Sequence, residues 1–197
     1  MKIYQVVVIG FALSTLPILS KATVIIDVTE QSKDVVFDIS GSLDMTDAQR
    51  VTSGSHFNGL TPGGSGWYIG AGESAAFNGW ALDSVDIPFG TEPYFYSAPY
   101  QGTGDTFAVY GNNGNGSLLY LDPNYVSGDS INSLLTFSGR TFSSLGLISG
   151  VYNFTIPSDN IELRIGQAAT SVPEPASLAL LGIGLVGLAI SRKQKST

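Results

Sequence analysis

The chain has 197 residues, with no cysteine, one histidine, 24 glycines and only 13% charged residues. Without cysteine there is no disulfide framework, thiolate metal site, cysteine nucleophile or lipid-modified cysteine anchor, and a single histidine excludes a histidine-rich zinc or copper cluster. Nine basic residues against sixteen acidic ones leave no basic footprint for nucleic acid, so none is expected as a partner.

Residues 1–22 read as a secretory signal peptide. Lys2 provides the positive start and an apolar run follows from Ile3 to Leu19. Ser20 and Ala22 are the small residues at −3 and −1 of a cut between Ala22 and Thr23. Pro17 and the lack of amphipathic spacing weigh against a buried helix or strand. Export by this route makes the Sec translocon and signal peptidase partners.

Residues 23–171 read as one extracytoplasmic β domain. It holds four basic residues against fifteen acidic ones, a formal charge of −11 compared with −7 for the whole chain. A chain of this length can bury enough surface to fold without disulfides. Val24, Ile25 and Ile26 are β-branched, and Val35, Phe37 and Ile39 alternate with Val36 and Asp38 as in a half-buried strand. Leu43–Val51 reads as a short helical turn. Gly54–Gly104 is less regular, with Gly63, Gly64, Gly66, Gly70 and Gly72 followed by Pro88, Pro93 and Pro99, and reads as strands separated by long loops.

Phe107–Tyr110 and Leu118–Leu121 flank a glycine- and asparagine-rich stretch and read as a hairpin. Leu134–Phe137 and Thr141–Phe142 read as strands around Ser138–Arg140, and Ser143–Gly146 reads as a second helical turn. Val151–Ile156 alternates, Pro157–Asn160 turns, and Ile161, Leu163 and Ile165 alternate with Glu162 and Arg164. No long stretch carries a helical period. The expected fold class is all-β, a single antiparallel β-sandwich or jelly-roll-like domain, with Gly166–Ser171 as a linker.

Residues 172–197 follow a different logic. Ala176–Ile190 carries no charge, and Arg192, Lys193 and Lys195 form a basic tail. Fifteen helical residues span roughly 22 Å, short of a ~30 Å hydrocarbon core, so this is a marginal transmembrane helix stretched by its flanks. Its basic end belongs in the cytoplasm. Gly182, Gly184 and Gly187 spell G-x-G-x-x-G, but no acidic residue follows at the distance a dinucleotide site needs. Small residues here suit close packing of membrane helices.

Val172-Pro173-Glu174-Pro175 stands immediately before this helix. The Pro-Glu-Pro triplet, apolar helix and terminal basic tail together resemble the PEP-CTERM sorting signal of exosortase substrates. The resemblance implies a bacterial cell-envelope protein and an exosortase partner that recognises Pro173, Glu174 and Pro175 and cuts nearby. It also implies a membrane-anchored precursor that ends at the cell surface or outside the cell. The two prolines remove backbone donors and hold the segment extended, which presents it to such an enzyme. Within the β domain, Gly41–Asp44, Tyr125–Gly128, Thr136–Leu147, Gly150–Phe154 and Ile161–Gly166 resemble a recurrent type of PEP-CTERM-bearing secreted protein. That resemblance carries no activity with it.

The residues assign no catalytic site. His56 lacks a nucleophile elbow around any serine and reads as a surface or loop histidine. Two-carboxylate glycoside hydrolysis has Asp44, Asp47, Glu73, Asp83, Asp86, Glu92 and Asp105 as candidates, and spacing selects no pair. Calcium is the one cofactor considered, at Asp122-Pro123-Asn124 and at Asn112–Asn115; Asx turns are the competing explanation, and no other metal or cofactor is expected.

Aromatic residues are the richest feature. Trp67, Tyr68, Trp80, Tyr94 and Tyr96 are candidates for stacking on sugar rings, with core packing as the alternative. On a strand, Tyr94 and Tyr96 would share one face and Phe95 the other. The leading expectation is therefore a non-enzymatic exported protein of the cell surface or extracellular matrix. A module that binds extracellular polysaccharide is the alternative, and a glycoside hydrolase comes third.

Overall fold

Period-two alternation along the chain becomes two facing sheets. In the computed structural model the described residues are 23–73, 76–85, 89–91, 93–97, 102–112 and 116–167. They form β1 (Thr23–Gln31), β2 (Asp34–Ser42), β3 (Arg50–Ser55), β4 (Gly59–Thr61), β5 (Gly66–Ala71), β6 (Ala76–Ala81) and β7 (Ser84–Val85). There follow β8 (Tyr96–Ser97), β9 (Thr103–Gly104), β10 (Phe107–Asn112), β11 (Gly116–Leu121), β12 (Ser130–Ser138), a 3₁₀ turn (Ser143–Leu145), β13 (Gly150–Ile156) and β14 (Asp159–Ile165). The first sheet runs β7-β13-β14-β1-β2-β12-β9 and the second β3-β6-β11-β10-β5-β4-β8.

Alternate side chains of each strand leave the sheet on opposite sides. In the first sheet this buries Val24, Ile26 and Val28 of β1, Val35, Phe37 and Ile39 of β2, and Ile161, Leu163 and Ile165 of β14. The second sheet answers with Leu60, Trp67, Ile69, Phe107, Val109, Leu119 and Leu121, and both sets belong to one core. Trp67 reaches across to stack on Phe154 of β13, ring centroids 5.2 Å apart. The hairpins expected at 107–121 and 151–165 are present as β10–β11 and β13–β14. The irregular stretch 54–104 holds short strands as expected, but from β3 to β7 they are joined by two to four residues rather than by long loops, and the turn at Ser143–Leu145 is a 3₁₀ turn ending on Gly146.

Three expectations are corrected. The sandwich is not wholly antiparallel: β1 and β14 run parallel, from Thr23 opposite Asn160 to Val28 opposite Ile165. This pair joins two strands far apart in sequence, so local alternation holds no sign of it. The helical turn expected over Leu43–Val51 is only a tight turn at Thr46–Asp47. Asp47 takes φ +65°, Asp44 Oδ1 accepts the Thr46 N–H at 2.9 Å, and Arg50 onward is drawn into pairing with β6. Thr141–Phe142 is not a strand. Thr141 exchanges hydrogen bonds with Ser144 and its carbonyl accepts the Leu145 N–H, so it opens the 3₁₀ turn instead.

With no cysteine available, one end of the sandwich is tied by polar side chains. Asp159 is 2% exposed; its Oδ2 accepts the Asp44 N–H and its Oδ1 the Asn160 N–H, both at 2.8 Å. The Tyr125 hydroxyl accepts the Leu43 N–H at 2.9 Å and donates to the Asp129 carbonyl at 3.0 Å. Ser158 Oγ donates to the Thr46 carbonyl at 2.6 Å, and Ser127 Oγ accepts the Met45 N–H at 2.9 Å. Three loops distant in sequence are thereby held at one place. Among the described residues no helix is long and apolar enough to cross a membrane. The expected membrane helix 176–190 lies outside them.

Candidate functional site

The outward faces of the two sheets differ in chemistry. On the first sheet Asp27 stands opposite Asp38 on one side and Arg164 on the other. Arg164 Nε contacts Glu162 Oε1 at 2.5 Å, and its Nη1 lies 4.0 Å from Asp27. That face carries these charges together with exposed Leu134 and Val151, the register partners of Asp38 and Arg164. The second sheet presents aromatic rings instead.

Strand parity produces this aromatic face. In β5, Trp67 and Ile69 point inward, so Tyr68 points outward; in β10, Phe107 and Val109 point inward and Tyr110 outward; in β11, Leu119 and Leu121 point inward and Tyr120 outward. Tyr110 and Tyr68 are register partners on neighbouring strands. Phe77 of β6 stacks on Tyr120 with centroids 3.8 Å apart and planes 17° apart, and Tyr110 lies 6.3 Å beyond at 15°. Phe95 meets Tyr68 at 6.2 Å.

Glycines beneath these rings, Gly70 in the same strand as Tyr68 and Gly59 in β4, let them lie close to the sheet. A Cβ at Gly70 would come within 2.1 Å of the Tyr68 hydroxyl, and one at Gly59 within 2.4 Å of the Phe95 ring. The Tyr68 hydroxyl donates to the Phe57 carbonyl at 2.5 Å, which leaves its oxygen to accept from His56 Nδ1 at 3.3 Å. Burial pushes the Tyr68 phenol well above its ordinary pKa. Burial raises Tyr120 as well, and neighbouring Tyr110 adds to it.

Two adjoining hollows open on this face. One of about 300 Å³ is lined by Ser55, His56, Phe57, Thr61, Tyr68, Phe95, Tyr110 and Tyr120. The other, of about 230 Å³, is lined by Thr61, Gly63, Ser65, Gly66, Trp67, Tyr68, Pro93 and Tyr110. Phe57, 75% exposed, and Phe95, 52% exposed, both line the larger hollow, so apolar ring surface is open to solvent there.

Of the expected stacking residues, only Tyr68 stands on this aromatic face. Trp67 is a core residue, 5% exposed and wedged between Phe154 and Phe89. Trp80 shares the inward parity of Leu119, its register partner, and packs half-buried against the core. Tyr94 is exposed but precedes β8, so the shared strand face expected for Tyr94 and Tyr96 does not form. Tyr96 packs against the core, and the Arg140 guanidinium sits 5.6 Å from its ring centre. Parity adds Tyr110, Tyr120 and Phe77 to this face, and the alternation of β10 and β11 already contains the signal for the two tyrosines. His56 is in a loop as expected, but it is buried rather than on the surface, with its Nδ1 3.3 Å from the Tyr68 hydroxyl.

The carboxylates of Asp44, Asp105 and Asp122 accept hydrogen bonds from the backbone. The Asp44 carboxylate is held below the ordinary range, chiefly by the Thr46 side chain. Asp105 Oδ2 accepts the Asn132 N–H at 2.8 Å. Asp122 Oδ1 accepts both the backbone N–H and the side-chain amide of Asn124, at 2.8 and 3.2 Å, which makes an Asx turn. Among the described residues no group of three or more His, Asp or Glu is placed to hold a metal ion. Asp86, Glu92 and loop residues 113–115 lie outside the described residues, as do Ala22, Val172, Pro173, Glu174, Pro175, Arg192, Lys193 and Lys195. Thr23, the other side of the expected signal-peptide cut, is the first residue of β1.

The chain carries a PEP-CTERM protein-sorting motif, matched over residues 171–193. The motif marks a secreted protein targeted for sorting by an exosortase, which it implies as the processing partner. No curated protein and no solved structure matches the chain.

Proposed function

We propose that this protein is an exported, non-enzymatic component of the cell surface or extracellular matrix. Its β-sandwich is the cargo, and its C-terminal segment is the address that an exosortase reads and removes. The observation that carries this reading is the sorting motif at residues 171–193, placed directly after a sandwich whose last strand ends at Ile165. On this reading the precursor is held in the membrane by residues 176–190 and then released or transferred to the surface. The test compares the native chain with Glu174→Ala and with a chain lacking residues 176–197, in cells with and without the exosortase. The native chain should shorten only where the exosortase is present, and neither variant should be processed normally. An unchanged mature mass and location in both variants refutes the proposal.

A second reading is polysaccharide binding, favoured by the aromatic face of the second sheet. Tyrosine offers a large apolar ring and a polar handle, a pairing suited to the face and edge of a sugar. Co-sedimentation of the processed protein with extracellular polysaccharide tests it, and a protein that stays wholly in the supernatant refutes it.

A further inference from the structure

We propose that the two hollows of the second sheet form one continuous site for an uncharged glycan at least two sugar rings long, laid across the Tyr68–Tyr110 pair. This inference rests on the polysaccharide-binding reading and specifies where the glycan lies and of what class it is.

Continuity follows from the shared wall. Thr61, Tyr68 and Tyr110 line both the 300 Å³ and the 230 Å³ hollows, so a ligand that fills both must cross them. Ligand sites commonly enclose ~300–1,000 Å³. One hollow is at the bottom of that range and the other below it, whereas the pair lies within it. An elongated ligand therefore suits the site better than a single ring.

The lining selects the chemistry. Tyr68, Tyr110, Tyr120 and Phe95 supply aromatic surface, and the hydroxyls of Ser55, Thr61 and Ser65 stand among them. A pyranose has matching chemistry, with an apolar C–H face and a rim of hydroxyl groups. A purely apolar ligand would cover those protein hydroxyls without offering partners, which opposes binding.

The platform is also set in advance. Tyr68 is held by Phe57 and His56 and lies over Gly70, and Phe95 lies over Gly59. Less side-chain freedom is therefore lost when a ligand arrives.

Charge sets the remaining constraint. Among the described residues, no Lys, Arg, Asp or Glu lines either hollow. Four basic against fifteen acidic residues give residues 23–171 a formal charge of −11. Uronate- or sulfate-bearing chains would meet repulsion that no Lys or Arg among the described lining residues offsets, so the site favours neutral glycans.

The test uses processed protein from exosortase-containing cells. A glycan array with neutral and uronate-bearing chains comes first, then titration calorimetry with a matched series from mono- to tetrasaccharide. The native protein should bind neutral chains, with affinity rising from one ring to two or three. Phe95→Ala, at a half-exposed ring, and Tyr110→Ala should each weaken binding roughly three- to tenfold, whereas Tyr110→Phe keeps the ring and most of the affinity. An unchanged melting temperature in Phe95→Ala separates loss of the site from loss of the fold. Binding of uronate-bearing chains alone, or equal affinity for one ring and for several, overturns this inference and leaves polysaccharide binding standing. Binding that persists undiminished in both alanine variants overturns the location, and no binding to any glycan overturns both readings.

Discussion

Gly111 of β10 lies directly across from Trp67 of β5, and the indole covers it. A Cβ at Gly111 would stand 2.2 Å from Trp67 Cε2 and 2.3 Å from Cζ2 and Nε1. The indole has little room to move, because it is 5% exposed, stacked on Phe154 at 5.2 Å and edge-on to Phe89 at 5.9 Å. The backbone of Gly111 is not left-handed, so alanine is opposed by space alone. Overpacking a core costs about 1–3 kcal/mol and spoiling the ring contacts about 0.5–1.5 more, so Gly111→Ala should destabilise by roughly 2–4 kcal/mol. At about 2–4 °C per kcal/mol for a domain near this size, the melting temperature falls by roughly 5–15 °C. Thermal and urea unfolding followed by tryptophan fluorescence read this directly, because Trp67 is one of only two tryptophans. Gly128→Ala is the contrast: φ is +90° there and no atom lies within 4 Å of the Cβ position. It should cost about 1–2 kcal/mol from backbone strain and leave the emission maximum unchanged. A Gly111→Ala variant that melts within about 1 °C of the native protein refutes the packing argument.

Asp159→Ala removes a buried acceptor from two backbone N–H groups, those of Asp44 and Asn160; a loss of about 2–4 kcal/mol is expected in urea unfolding, and a loss under about 0.5 kcal/mol would show that the polar tie contributes little. Burial holds the phenols of Tyr68, Tyr120, Tyr125 and Tyr152 above their ordinary value, Tyr68 furthest. Below the ordinary tyrosine value of about 10 both states stay protonated and stability is intact. Above it the unfolded chain ionises first, so stability falls as pH rises toward the folded values. Urea midpoints should therefore drop from about pH 10 upward, and native-state phenolate absorbance corresponding to every tyrosine at that pH would contradict this.

Much of the fold was legible in particular residues. Val35, Phe37 and Ile39 announced β2, and Ile161, Leu163 and Ile165 announced β14, because a half-buried strand must place apolar groups at every second position. The aromatic face was half legible. The alternation that buries Leu119 and Leu121 also sends Tyr120 outward, and the same rule buries Trp67. The partner loops of Asp44 were not readable, since its contacts lie more than 80 residues away at Ser127 and Asp159.

The sorting segment needed no tertiary structure to be recognised, because Pro173, Glu174, Pro175, the apolar run and the basic tail form one continuous signal meant to be read by another protein. Strand parity and the two hairpins were likewise local consequences of backbone geometry. The parallel pairing of β1 with β14 was not, nor was the tying of three loops by Asp159 and Tyr125, nor the gathering of Tyr68, Tyr110, Tyr120, Phe77 and Phe95 over one sheet. Those depend on which strands become neighbours. That choice is made by how both sheets fill a shared core, and packing between distant residues leaves no local period in the sequence.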